Sequence, residues 1–125
     1  MGPRTREFLR ISNPARQSVL GERIAVADTM LTRFVGLMGR GSLASGHGLL
    51  ICPSNGVHTF WMRFSIDVLL LDREHRVLSA YGVLRPFRLT AINFKASSAL
   101  ELPAGTIAAT NTQLGDQLLL DPVTP

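Results

Sequence analysis

Ile66-Asp67-Val68-Leu69-Leu70-Leu71-Asp72 is the stretch that decides the fold. Val68–Leu71 is the longest unbroken aliphatic run in the chain, and it is bracketed by two aspartates. Four residues fall far short of the roughly 20 apolar residues that a membrane-spanning helix needs. In a strand, successive side chains point to opposite faces. A strand apolar at both parities therefore has no face to give to water, so Ile66–Leu71 reads as a central strand covered on both sides. Asp67 stands inside it. A carboxylate in such a place must be hydrogen-bonded or paired, or else be neutral.

Outward from this stretch the helical period is absent. Gly48–Cys52, Val57–Met62 and Arg76–Val83 are short apolar or β-branched runs. They are separated from one another and from Ile66–Leu71 by Pro53-Ser54-Asn55-Gly56, Arg63-Phe64-Ser65 and Asp72-Arg73-Glu74-His75. That is the spacing of antiparallel strands joined by turns. Val19–Ala27 alternates as a strand, and residues 7–12 are compatible with a short edge strand ended by Asn13-Pro14. Residues 84–97 read as an irregular loop in which Phe87 and Phe94 are available as anchors. Beyond it, Ala99–Leu102, Thr106–Thr110 and Gln117–Leu120 complete the sheet, and Asp121-Pro122 stops it. One helix is expected, from Thr29 to Gly39. Asp28-Thr29 offers its N-cap, Leu31, Phe34, Val35 and Met38 form an apolar stripe, and Gly39 and Gly41 end it.

The expected fold is mainly β (α+β): a small antiparallel barrel or barrel-like sandwich with one helix. Residues 1–18 form an N-terminal arm with the edge strand, 19–121 a single β-rich domain and 122–125 a tail. The core should include Ile24, Val26, Phe34, Met38, Leu50, Phe60, Val68, Leu70 and Leu102.

The chain has 125 residues, 46% of them hydrophobic, and a net charge of +4. Such a length suits one core, and the composition is that of a globular chain. The single cysteine, Cys52, excludes an internal disulfide framework and a CxxC zinc ribbon. Residues 1–40 hold seven arginines against Glu7, Glu22 and Asp28, while the six basic and six acidic groups that follow balance. The arginines are spread out and no nucleic-acid motif accompanies them, so a solvated basic surface is the reading and no nucleic acid is expected. The first twenty residues carry charge and no apolar signal region, which leads one to expect a cytoplasmic protein with no membrane span. No cofactor is implied, and nothing in the sequence sets an oligomeric state.

Several motifs then stand together in order. They are Ala27-Asp28-Thr29, Arg33-x-x-Gly36-Leu37-Met38-x-Arg40, Gly48-Leu49-Leu50-Ile51, Val57-His58-Thr59-Phe60-Trp61-Met62, Ile66 to Asp72, Leu100-Glu101-Leu102-Pro103-Ala104-Gly105 and Gly115-Asp116. Over roughly residues 20–120 the chain resembles the domain of unknown function 192 family, also called uncharacterised protein family 0127. The resemblance implies a compact, mostly β domain with limited helix. It implies no reaction.

Three constellations carry chemistry. The leading one is a polar pocket of His58, Asp67, Arg33, Arg40 and Glu101 at one end of the barrel, holding a small anionic or polar ligand in a non-catalytic binding or accessory module. Arg33 and Arg40 share a helical stripe with Gly36, opposite the apolar one, and two guanidinium groups suit a carboxylate or phosphate. They could equally clamp Asp67 or Glu101 and lock the helix to the sheet. The second is a His58–Asp67 pair, which would be half of a general-base arrangement in a small hydrolase or lyase. No nucleophile with the right context accompanies it. The third is a soft-metal, copper-like set of Cys52, His58 and Met62, against which stands their ordinary place in a core. A protein-interaction role would instead show as an exposed apolar patch around Trp61, Phe87 and Phe94.

Overall fold

The computed structural model describes residues 8–29, 41–60 and 62–123. The helix expected over 29–39 lies almost wholly outside the described residues. With it go Arg33, Phe34, Met38 and Arg40, and Trp61 lies outside them too.

Strands β1 (Phe8–Asn13) and β2 (Ser18–Ala27) form an antiparallel hairpin. Between them, Pro14–Arg16 make one 3-10 turn, and Gln17 at φ +52° sends the chain back. Then come β3 (His47–Ile51), β4 (Ile66–Leu71), β5 (Val77–Leu84), β6 (Ser98–Pro103), a short helix α1 (Thr106–Thr110) and β7 (Leu119–Val123). The strands make one seven-stranded sheet in the order β5-β4-β6-β3-β2-β1-β7. The fold is thus mostly β, with one short helix among the described residues.

Several expectations are corrected. The sheet is mixed, because β2 and β3 pair in parallel while the other neighbours are antiparallel. A parallel pair requires a long crossover connection, and residues 28–46 supply it. Thr106–Thr110 is helix, not strand: Gly105, at φ +93°, turns the chain out of β6 just before it. Residues 57–60 and 62 are not in a strand of the sheet, and their only described ladder contact is one bridge between His58 and Leu89. Freed from the sheet, Phe60 is exposed instead of joining the core.

Residues 8–13 form a strand, but it lies inside the sheet between β2 and β7. The edge is β7, which runs through Asp121-Pro122 to Val123. Proline is tolerated there because an edge strand has one side without a ladder partner.

All six residues of β4 are buried, as its two-sided apolar pattern requires. It sits second from one edge of the sheet, between β5 and β6. One face of the sheet carries Ile24, Leu50, Leu69, Leu71, Leu100 and Leu102. Ile11, Leu118 and Val77 join that cluster from the two ends of the sheet, so the sheet curls on itself around it. A single bridge, Arg76 to Gln117, links the run into β5 with the run into β7. The edges therefore meet at one end without a continuous ladder, and the barrel stays open. The opposite face carries a second cluster that includes Leu49, Ile51, Ile66, Val68, Leu70 and Ala99. Leu43, Val57, Met62 and Phe64 pack over it from the connecting segments. Val26, expected in the core, is half-buried.

Candidate functional site

Asp67 is fully buried, and its carboxylate is completely engaged by main chain. Oδ1 accepts the N–H groups of Val83 at 2.8 Å and Gly105 at 3.0 Å, and Oδ2 accepts that of Ile107 at 2.7 Å. The position explains the pattern. Ile66 and Val68 pair with Leu84 and Tyr81, so β5 carries an extra residue opposite Asp67 and bulges. Val83, in that bulge, adopts φ +51°, a region that β-branched residues avoid. The Asp67 carboxylate holds its N–H there, and with Gly105 and Ile107 it fixes the entry to α1. Asp67 works as an internal tie between β4, β5 and α1.

His58 lies elsewhere. It is exposed, its ring stacks on Phe60 at 5.3 Å, and its backbone bridges Leu89. His58 and Asp67 each have their own partners, so the geometry does not assemble the base-and-orienter pair. Cys52 is exposed, while Met62 is buried in the second cluster. Among the described residues no group of three or more His, Cys, Asp and Glu side chains gathers as metal ligands would.

Glu101 is the unusual group. It sits in mid-β6, 3% exposed, opposite Leu49 of β3 and Val68 of β4. Both neighbours belong to the second cluster, so Glu101 points to that face. Asp67 pairs with Leu102 of the first cluster and points to the other face. The two carboxylates that the sequence singles out are thus divided by the sheet. Among the described residues Glu101 Oε1 is buried without a hydrogen-bond partner, and burial pushes its carboxyl up to about 7.

A third acidic cluster was not foreseen as a unit. Asp116 follows Gly115, whose φ of +87° makes the turn. Its carboxylate accepts Arg16 Nε and Nη2 at 3.0 Å each, Asn13 Nδ2 at 2.9 Å and the Gln113 N–H at 2.9 Å. The Arg16 bonds, chiefly, hold Asp116 well below the usual carboxylate range. Asp116 alone reads as a turn residue; its distant partners Asn13 and Arg16 carry no local signal of the pairing.

The fold has counterparts among known proteins. A family model named domain of unknown function 192, described as an uncharacterised ACR, matches residues 11–120. The chain belongs to this family. A UPF0127 protein of Thermococcus sibiricus is 32% identical over 112 residues, which cover 85% of this chain and 71% of that one. A UPF0127 protein of Pyrococcus furiosus is 33% identical over 98 residues, covering 76% and 84%. Among solved structures, a protein of unknown function from Novosphingobium aromaticivorans aligns with TM-score 0.77 over 90% of this chain and 83% of that one, at 17% identity. A Sinorhizobium meliloti protein described as a candidate transcription regulator aligns equally well, over 93% and 94%, at 20% identity. At such identities the likeness is one of fold. It shows that the curled sheet recurs in those two proteins, and it attaches no reaction to it. No helix of the described residues is long and apolar enough to cross a membrane.

Proposed function

We propose that this domain 192 protein is a non-catalytic binding module that takes a small polar ligand at Glu101. The observation that carries the reading is the orphaned, buried Oε1 in mid-strand. A buried acceptor without a donor costs on the order of 1–3 kcal/mol, more when charged. A ligand N–H or O–H donated to it would recover that cost. A carboxyl poised at about 7 can meet either a donor or, once protonated, an acceptor.

Val57, Met62 and Phe64 of the connecting segment pack over the face to which Glu101 points. Connecting segments outside the ladder of a sheet open locally at less than the cost of global unfolding. The anion-holding half of the site remains a proposal from the sequence: Arg33 and Arg40 with His58, facing a ligand that carries both a donor and an acidic group. Asp67 has no free oxygen for such a role, and its part in the pocket is that of a support.

The test is calorimetric titration of the wild-type chain with a panel of amino acids, hydroxy acids and sugars at pH 6 and pH 8, repeated with Glu101→Gln and Glu101→Leu. The expectation is a ligand whose affinity falls about tenfold or more in Glu101→Leu, for one lost hydrogen bond to a buried charged group. Equal affinity in both variants, or no heat from any compound, would overturn the reading.

A further inference from the structure

Residues 55–60 and 85–93 run antiparallel beside one another, outside the ladder of the main sheet but packed on it through Val57 and tied to β5 through Tyr81 and Ser79. The Thr59 N–H donates to the Arg88 carbonyl at 2.8 Å, the Phe87 N–H to Thr59 at 3.0 Å, the Thr90 N–H to Val57 at 3.0 Å and the Asn93 N–H to Asn55 at 2.9 Å. Thr59 and Thr90 point inward and are buried. The Thr59 hydroxyl donates to the Arg85 carbonyl and accepts the Arg88 N–H, which pins the 85–88 turn. The outward side is apolar. Phe60 and Phe87 lie 6.3 Å apart, Leu89 sits opposite the exposed His58, and Ile92 and Phe94 follow at the end of the ribbon. Phe94 is 87% exposed, Leu89 66% and Ile92 62%. Single exposed apolar residues need no explanation, but neighbouring ones on one ribbon do.

The charged residues of these two segments and of their immediate flanks have one sign. Arg63, Arg85, Arg88 and Lys95 are all exposed. No Asp or Glu occurs between Asp28 and Asp67, or between Glu74 and Glu101. We propose that this ribbon docks the protein onto an anionic lipid surface, with Leu89, Ile92 and Phe94 entering the acyl boundary and the four cations meeting headgroup phosphates and carboxylates.

Three other occupants fit less well. A second copy would bring four cations against four cations. A single-stranded nucleic acid needs aromatic faces to stack on. Here Phe60 and Phe87 already contact each other and Leu89 and Ile92 offer no such face, which leaves Phe94 as a lone platform among the described residues of the ribbon. An acidic peptide seeks a groove or an unpaired strand edge. These side chains are exposed, and a hollow of about 260 Å³ lies elsewhere, lined by β2, residues 45–46 and α1. A fluid bilayer needs no matching shape and takes protruding apolar groups beside cations.

The experiment is flotation of the full chain with vesicles of phosphatidylcholine alone or mixed with phosphatidylserine, at low and at physiological salt. Binding is expected on the mixed vesicles, weakening as salt rises. Arg85→Ser with Arg88→Ser should lower the affinity about thirty-fold. Leu89→Ser with Phe94→Ser should lower it at least about tenfold. All four sites are exposed, and an unchanged far-UV circular dichroism spectrum checks that each variant folds. No binding to the mixed vesicles overturns the proposal. So does equal binding to phosphatidylcholine alone, or binding indifferent to Leu89→Ser with Phe94→Ser, which would be mere adsorption of a cationic protein. A labelled oligothymidylate or polyglutamate captured where vesicles are not would reassign the surface.

Discussion

Replacing Asp67 by Asn tests how the framework holds together. The carboxylate receives three main-chain N–H groups at 2.7 to 3.0 Å in a fully buried place. Asparagine fits the same space but offers one oxygen. Its best orientation keeps Val83 and Gly105 on that oxygen and turns an NH₂ group onto the Ile107 N–H, donor against donor. One charge-assisted bond is lost, worth about 1.5–3 kcal/mol, and the other two weaken because a neutral oxygen accepts about half as strongly. The neutral amide regains part of this through easier desolvation. The net expectation for Asp67→Asn is about 2–4 kcal/mol of lost stability. Asp67→Ala, with three buried amides orphaned and water partly replacing the carboxylate, should lose roughly 4–6 kcal/mol. Against a total of about 5–15 kcal/mol, that second variant is near unfolding. Urea unfolding followed by far-UV circular dichroism reads the shift as a lower midpoint at constant slope. Amide exchange should accelerate first at Val83, Gly105 and Ile107. His58→Ala should leave the midpoint unchanged. If Asp67→Asn stays within about 0.5 kcal/mol of wild type, the tie is not what holds β5 and α1, and the reasoning fails.

Two further predictions concern the buried acid and the glycine beside it. Glu101 titrates at about 7 folded against 4.5 in a model peptide, so the folded state binds more protons between these values; stability is full below pH 4.5 and is lost as pH rises through 7, by about 3 kcal/mol. Glu101→Gln should flatten that decline and raise the thermal midpoint at pH 8, and an unchanged pH profile would refute it. Asp116 bends the other way: its lowered value means its contribution is present above its ordinary 3.8 and lost as pH falls below that, so these two groups together favour an optimum near pH 4 to 5. At Gly48 an added Cβ would meet the Glu101 carbonyl oxygen and Ile24 Cδ1, each at 2.7 Å, and main chain cannot yield as a side-chain tip can. Gly48→Ala should therefore cost about 1–3 kcal/mol by chemical denaturation, whereas an unchanged midpoint would mean the strands shift freely.

Much of the sheet was legible because its strands carry local signals. Alternation marks β2, two-sided apolarity marks β4, and turn residues separate them from their neighbours. The misreadings share a cause, since the same local signals are silent about long-range pairing. Val57–Met62 alternates like a strand, yet it pairs with Leu89 instead of the sheet, so Phe60 ends in solvent. Thr106–Thr110 is β-branched enough to read as strand, but Asp67, forty residues away, accepts the Ile107 N–H and anchors the helix start. The parallel pairing of β2 with β3 depends on how residues 28–46 cross over, which no short window displays. The candidate site was legible as residue types: Asp67 and Glu101 are the two acids inside apolar strands. Whether they share a face depends on the β4–β6 register, in which Asp67 meets Leu102 and Val68 meets Glu101. Parity within one strand is readable, while parity between strands is not.

That register turns two similar acids into opposite cases. Asp67 is buried and saturated, and removing it breaks three hydrogen bonds that the main chain cannot make elsewhere. Glu101 is buried and starved, and removing its charge relieves a cost. A sequence answering only to folding would put an aliphatic residue at 101, as it does on either side at Leu49 and Val68. The strand needs nothing from a carboxylate there, since Leu100 and Leu102 on the other face already fill the first cluster. A group that weakens the fold at neutral pH, on the face that Val57, Met62 and Phe64 pack over, calls for an explanation from outside the fold. Asp67 calls for none. The weight of the binding proposal therefore rests on Glu101 Oε1, the one carboxylate oxygen among the three buried atoms, with Asn13 Oδ1 and Ser98 Oγ, that the described structure leaves unpaired; adding a donor to it should stabilise the protein most where Glu101 is ionised, above pH 7.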